Sequence, residues 1–124
     1  MKKINTSEVN KNTEIYVMDE PGAGGAYHEY LIEFVRQVGE PFNLGGESVN
    51  IKFQKGPIQK NGVNGLFIED LLEIAKHRLE CFQSGPFPCE ENSLALNSIV
   101  SALNYLNRRT LIRRKRGVEG KSEE

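Results

Sequence analysis

Phe82-Gln83-Ser84-Gly85-Pro86-Phe87-Pro88-Cys89-Glu90-Glu91-Asn92 is the stretch that decides the fold. Gly85 stops a helix, and Pro86 and Pro88 keep the chain from resuming one at once. Glu90 and Glu91 then suit the opening turn of a second helix, where acidic side chains favour the macrodipole. Upstream, Leu71, Leu72, Ala75, Leu79 and Phe82 follow helical spacing, with Glu69, Asp70 and Glu73 in the early turns. Downstream, Leu96, Ile99, Leu103 and Leu106 alternate steps of three and four, the spacing with which one helix packs on another. The pattern predicts a hairpin whose first arm ends near Ser84-Gly85. Its second arm starts near Cys89 or Glu90, reaches about Arg116, stops at Gly117 and measures about 40 Å.

The period is different before Asn64. Val49, Ile51 and Phe53 alternate with Asn50, Lys52 and Gln54, the mark of a strand with one apolar face. Ile15-Tyr16-Val17-Met18 and part of the run from Tyr27 to about Val38 are also strand-like, although the second alternates imperfectly and a helix there is an alternative. Turn signals stand at Asp19-Glu20-Pro21-Gly22-Ala23-Gly24-Gly25, Gly39-Glu40-Pro41, Gly45-Gly46 and Gly56-Pro57. The fold class expected is α+β. A small antiparallel sheet within residues 1–62 precedes an antiparallel helical hairpin and polar tail in 63–124. The first ten or so residues and the tail after Gly117 are expected to be loosely held.

The chain has 124 residues, and a helical pair in so short a chain leaves apolar surface uncovered. Association through the helices is the expected remedy. The net charge of -1, from 16 basic and 17 acidic residues, argues against a general binder of nucleic-acid polymers. Yet six of the nine residues from Arg108 to Arg116 are basic, a cluster suited to a small anion. A small nucleic-acid-binding regulator using that helix end is the alternative reading. No apolar run approaches the roughly 18 residues that span a bilayer, and Met1-Lys2-Lys3-Ile4-Asn5 lacks a secretory apolar stretch. A cytoplasmic protein with Cys81 and Cys89 reduced is expected.

Candidate chemistry is sparse. His28 and His77 lack metal-ligand spacing, no nucleophile motif is present, and neither catalysis nor a metal or cofactor is expected. The apolar stripe of the second arm extends back to Asn92 and Cys89 and forward to Thr110 and Arg113. Arg109 and Arg113, four apart, project on one side and suit a diphosphate, or else form an ordinary basic helix end. Phe82 is either a core aromatic or a stacking platform for a purine. Asn92 offers one acceptor and two donors to a base or ribose edge, or is an ordinary polar residue of a first turn. The loop with Gly22, Gly24 and Gly25 lacks the Lys-Ser/Thr of a P-loop and is on its own a weak signal.

These residues resemble a known family. Arg78-Leu79, Phe82-Gln83-Ser84-Gly85-Pro86-Phe87, Cys89, Glu91-Asn92, Leu94-Ala95-Leu96, Asn107-Arg108-Arg109-Thr110 and Arg116-Gly117-Val118-Glu119-Gly120 resemble the helical hairpin of phage anti-defence sponge proteins. Asp19, Pro21 to Tyr27, His28 and Tyr30 resemble the β part of their Thoeris branch, which anti-CBASS sponges lack. The resemblance, over roughly residues 15–120, implies a non-enzymatic protein of the infected or lysogenic host's cytoplasm. It would sequester glycocyclic ADP-ribose, the signal of TIR-domain proteins, as a homodimer or a hexamer of dimers. Some members also hold cyclic di- or trinucleotides at separate sites. The resemblance further implies that Phe82 stacks on adenine, Asn92 hydrogen-bonds the ligand, and Arg109 and Arg113 hold phosphate from a second protomer. Met18, Asp19, Gly22, Gly24 and Gly25 would close the pocket from the β side, and Cys89 would lie in the ligand set. Glu90 stands where the family often has a basic residue.

Overall fold

The computed structural model describes residues 1–4, 8–9, 12–36, 39 and 45–117. The Glu40-Pro41 break, the end of the run at Val38 and the stretch 118–120 lie outside the described residues. The chain is α+β and divides into two compact units, Met1–Leu66 and Phe67–Glu124.

The first unit is a four-stranded antiparallel sheet in the order β1 (Lys2–Lys3), β2 (Thr13–Val17), β3 (Glu29–Phe34) and β4 (Ser48–Lys52). The register sorts the side chains. Ile15, Ile32 and Val49 form one cross-strand row, and Val17, Tyr30 and Ile51 the next on the same face. Glu14, Tyr16, Leu31, Glu33, Asn50 and Lys52 alternate onto the other face. Leu31 is the apolar residue on that mixed face, which is why alternation along β3 reads imperfectly. Phe53 meets Tyr30 edge to face, centroids 5.6 Å apart. Val17 is the buried apolar residue of the unit.

Two features depart from the sequence reading. Lys2 and Lys3 are not loose: they pair with Val17 and Tyr16, and Lys3 reaches Glu14 at 2.6 Å. Beyond Gly56-Pro57 the unit also carries a return that the sequence reading did not describe. A short helix α1 (Ile58–Asn61) follows, and the chain returns so that Leu66 N–H donates to Lys52 O and Leu66 O accepts from Gln54 N–H. Gln54 and Asn64 bind that return with side-chain amides, Gln54 Nε2 donating to Gly62 O at 2.8 Å and Asn64 Nδ2 to Lys55 O at 2.8 Å. Gly65 permits the close approach, since a Cβ there would lie 2.5 Å from the Phe53 carbonyl.

The second unit is the hairpin of α2 (Ile68–Gln83) and α3 (Glu90–Lys115). Asp70 Oδ2 accepts the Phe67 N–H at 2.9 Å, satisfying one otherwise orphaned donor at the start of α2. Asn92, Leu96, Ile99, Leu103, Leu106, Thr110 and Arg113, spaced alternately by four and three, are all buried or half-buried, and Leu103 is 6% exposed. The stripe ends at Asn92: Cys89 is the non-helical N-cap and is exposed, so it does not continue the line as expected. Gly117, at φ 72°, stops α3 in the left-handed conformation that glycine adopts freely. α3 spans 26 residues against 16 in α2, about 39 Å against about 24 Å. On its opposite face Leu94, Tyr105 and Ile112 are exposed at 58%, 69% and 45%.

Candidate functional site

The closed end of the hairpin is built around a shortage of donors. Pro86 and Pro88 have no N–H, so the backbone of the turn has few bonds of its own with which to hold shape. Gln83, the last residue of α2, fills the deficit with a side-chain copy of a peptide group. Its Nε2 donates to Cys89 O at 2.9 Å, and its Oε1 accepts the Cys89 N–H at 3.1 Å. This clamp sets where α3 begins. Sequence reasoning noted Gln83 only as a motif letter; the signal available was an amide directly ahead of a Gly-Pro-x-Pro turn. Gly85 allows the tight fit, since a Cβ there would sit 3.3 Å from Cys81 O.

The clamp leaves four kinds of group at the mouth. Phe82 is 49% exposed, an expense in water for a residue that could have been core. Arg78, one turn earlier, holds its guanidinium over that ring, 5.3 Å from the centroid. Asn92 lies in the first turn of α3, half-buried, and its amide has no hydrogen-bond partner among the described residues. Cys89 and Cys81 are free, exposed thiols, and Cys81 Sγ is 3.8 Å from His77 Nε2. An exposed π face and an amide with unused donors and acceptor at the same end of a hairpin are groups that can take a planar heterocycle by stacking and edge hydrogen bonds.

The two arginines at the other end of α3 are not equivalent. Arg109 is exposed, whereas Arg113 is half-buried and already engaged within the chain. Seventeen positions separate Asn92 from Arg109, about 25 Å along the helix. One hairpin therefore does not bring Arg109 to the mouth.

The remaining expected site residues lie in the first unit, on the loop between β2 and β3. Met18 N–H donates to Glu29 O at 2.9 Å. Asp19, its side chain 15% exposed, turns inward. Its carboxylate accepts the His28 N–H at 3.1 Å and the Glu29 N–H at 3.2 Å, and lies 3.6 Å from the His28 imidazole. Burial pulls the Asp19 carboxyl upward, but the Glu29 and His28 N–H donors and the nearby imidazole outweigh it and hold the group below its ordinary value. Gly22 lies against the buried His28 ring, where an added methyl would overlap Cε1. Gly22 N–H donates to Ala26 O, and Gly25 N–H to Gly22 O. Gly24 and Gly25 sit at φ 78° and 84°, a requirement of the 3₁₀ turn Ala23–Gly25 rather than of crowding. Asp19 and Gly22 thus have internal work, and His28, which sequence reasoning set aside, is the residue that both serve.

Comparison with known proteins bears on the hairpin first. The family model described as the Acb2/Tad1 hairpin domain matches residues 46–111, more than half of the chain. The chain belongs to this hairpin family. The matched segment runs from just before β4 to near the end of α3. It includes Phe82, Cys89, Asn92 and Arg109, and excludes Arg113 and the loop from Met18 to Gly25. A protein of Bacillus phage SBSphiJ7 named "Thoeris anti-defense 1" is 41% identical over 81 residues, covering 65% of this chain. The chain spans 57% of that relative's length. Among the described residues no group of three or more His, Cys, Asp or Glu is placed to hold a metal ion, and no helix is long and apolar enough to cross a membrane.

Proposed function

We propose that this hairpin-family protein is a phage anti-defence sponge: it binds glycocyclic ADP-ribose made by TIR-domain proteins and sequesters it without turning it over, in the cytoplasm of the infected or lysogenic host. The observation that carries the reading is the mouth of the hairpin. Phe82 is half exposed where a purine can stack on it, and Asn92 offers an unused amide beside the same turn. Family membership and the Thoeris anti-defence name of the phage relative support the same reading. Capture by stacking and hydrogen bonding needs no catalytic group.

The reading includes a second copy of the chain. Leu94, Tyr105 and Ile112 are exposed apolar side chains on the side of α3 away from its stripe, and burying them in a homodimer or larger assembly would offset that exposure. A partner's Arg109 and Arg113 would supply phosphate contacts that one hairpin cannot. In the same reading the loop of Met18, Asp19, Gly22, Gly24 and Gly25 is a ligand contact, made by the outer surface of a turn already closed from inside. Cyclic di- or trinucleotides at separate sites would extend the ligand range.

The test is depletion. Protein is mixed with glycocyclic ADP-ribose, the free fraction is measured after filtration, and the retained fraction is heated and analysed by mass spectrometry. The expected result is loss of free signal and release of the intact molecule. A cleaved product would replace the sponge with a hydrolase, and an undiminished free fraction would end the proposal.

A further inference from the structure

The mouth described above has a stacking ring and an edge reader, but Arg109 is about 25 Å from Asn92 along the helix and Arg113 lies one turn further on. A nucleotide with two phosphates needs a cation nearer the base. Arg78 is in that position. Its guanidinium stands 5.3 Å from the centroid of Phe82, the ring on which the proposed base would stack. The attraction between a cation and the ring quadrupole ties its place to the ring.

The neighbours of Arg78 show that this guanidinium is not serving an ion pair. Three and four positions away on the helix stand Ile74, Ala75, Cys81 and Phe82, none of them acidic. The acidic Glu80 is bridged to Lys76 at 3.8 Å, on another side of α2. Among the described residues Arg78 makes no ion pair or hydrogen bond through its side chain, and the residue is exposed. Its N–H donors are therefore open to a ligand, in a planar fork that matches phosphate oxygens two at a time.

We propose that Arg78 is the phosphate-binding cation of the hairpin mouth, supplied by the same chain as Phe82, and that it contacts the diphosphate of a nucleotide whose base stacks on that ring. The assignment rests on the sponge reading and adds a residue to it. It also makes the affinity of the mouth partly electrostatic within one protomer, before any partner contributes.

The experiment titrates glycocyclic ADP-ribose into the parent protein, Arg78→Gln and Arg78→Lys, at low salt and at about 1 M salt, where the screening length falls to about 3 Å. Arg78→Gln should weaken binding about tenfold or more at low salt, the scale of a lost charge-assisted hydrogen bond. That factor should shrink at high salt, and Arg78→Lys should recover part of it. The thermal midpoints of the variants should match the parent's, since the side chain is exposed. Parent-like binding by Arg78→Gln overturns the proposal, as does a loss of the same factor at both salts, which would mark Arg78 as a support for the ring. If the parent itself takes up no ligand, the sponge reading fails and the Arg78 assignment falls with it. That result is distinct from a parent that binds and a variant that binds equally well.

Discussion

The loop from Asp19 to His28 and the turn from Phe82 to Asn92 carry the same kinds of residue: glycine, proline, acids or amides, aromatic rings. They spend them in opposite ways. In the loop, the Asp19 carboxylate is taken by two backbone N–H groups, the Gly22 backbone is pressed against the buried His28, and Gly24 and Gly25 meet the φ angles of a tight turn. In the turn, one side chain, Gln83, does the closing for the rest. Phe82 and Arg78 are left exposed, and Asn92 is half-buried with no side-chain hydrogen bond among the described residues. A glycine-rich loop with an acid invites a ligand reading, yet much of its composition is explained by closing on itself. A helix connection invites a structural reading, yet it leaves the Phe82 ring half exposed and the Asn92 amide without a partner among the described residues.

Substitutions can break or sharpen this contrast. The largest effect is expected at Gly22. Gly22→Val would drive a branched side chain into the His28 ring, and overpacking of that kind costs about 3 kcal/mol. Chemical denaturation should show the loss, and an unchanged midpoint would mean that the loop is not the closed unit described. Next is Phe82→Ala, which should lower ligand affinity by about 2 kcal/mol, the scale of one stacking contact, while the melting midpoint hardly moves. If stability fell as far as affinity, Phe82 would belong with Gly22 as a structural residue.

Gln83→Glu should follow. The carboxylate still accepts the Cys89 N–H but faces the Cys89 carbonyl without a proton, a loss of about 1 kcal/mol near neutral pH. The protonated acid restores a donor, so the folded state raises the pKa of this glutamate. The variant should approach the parent below about pH 4 and diverge as pH rises. A deficit independent of pH would break the clamp. The smallest effect is expected at Asp19, and its pH dependence is confined to acid. Its folded pKa is depressed, so its stabilisation is present above the unfolded value of about 3.9 and is lost as pH falls through the folded value. The stability difference between the parent and Asp19→Asn should be flat from neutrality to about pH 4 and shrink below it.

How legible each region was in the sequence follows the same division. The hairpin could be read almost whole, because helical spacing and the Gly85, Pro86, Pro88 and Gly117 stops act over a few residues. The apolar face of the sheet was legible in Val49, Ile51 and Phe53 for the same reason. The pairing of Lys2 and Lys3 with Tyr16 and Val17 was not, since nothing local distinguishes a polar strand of two residues from a loose end. The mouth was legible as a set of residue types, Phe82 and Asn92 among them, but not as an arrangement with Gln83 and Arg78 in it.

By itself the sequence determined the two periods, two in the first half and three-to-four in the second, and with them the α+β class, the hairpin and the ends of its helices. Local φ limits and side-chain spacing suffice for that. Only the tertiary structure decided which polar groups are spent and which remain. Asp19 is used up by His28 and Glu29, nine and ten residues away, and Gln83 by Cys89 across a turn. Whether a donor or acceptor is free depends on partners brought together by folding, and no window of neighbouring residues contains that information.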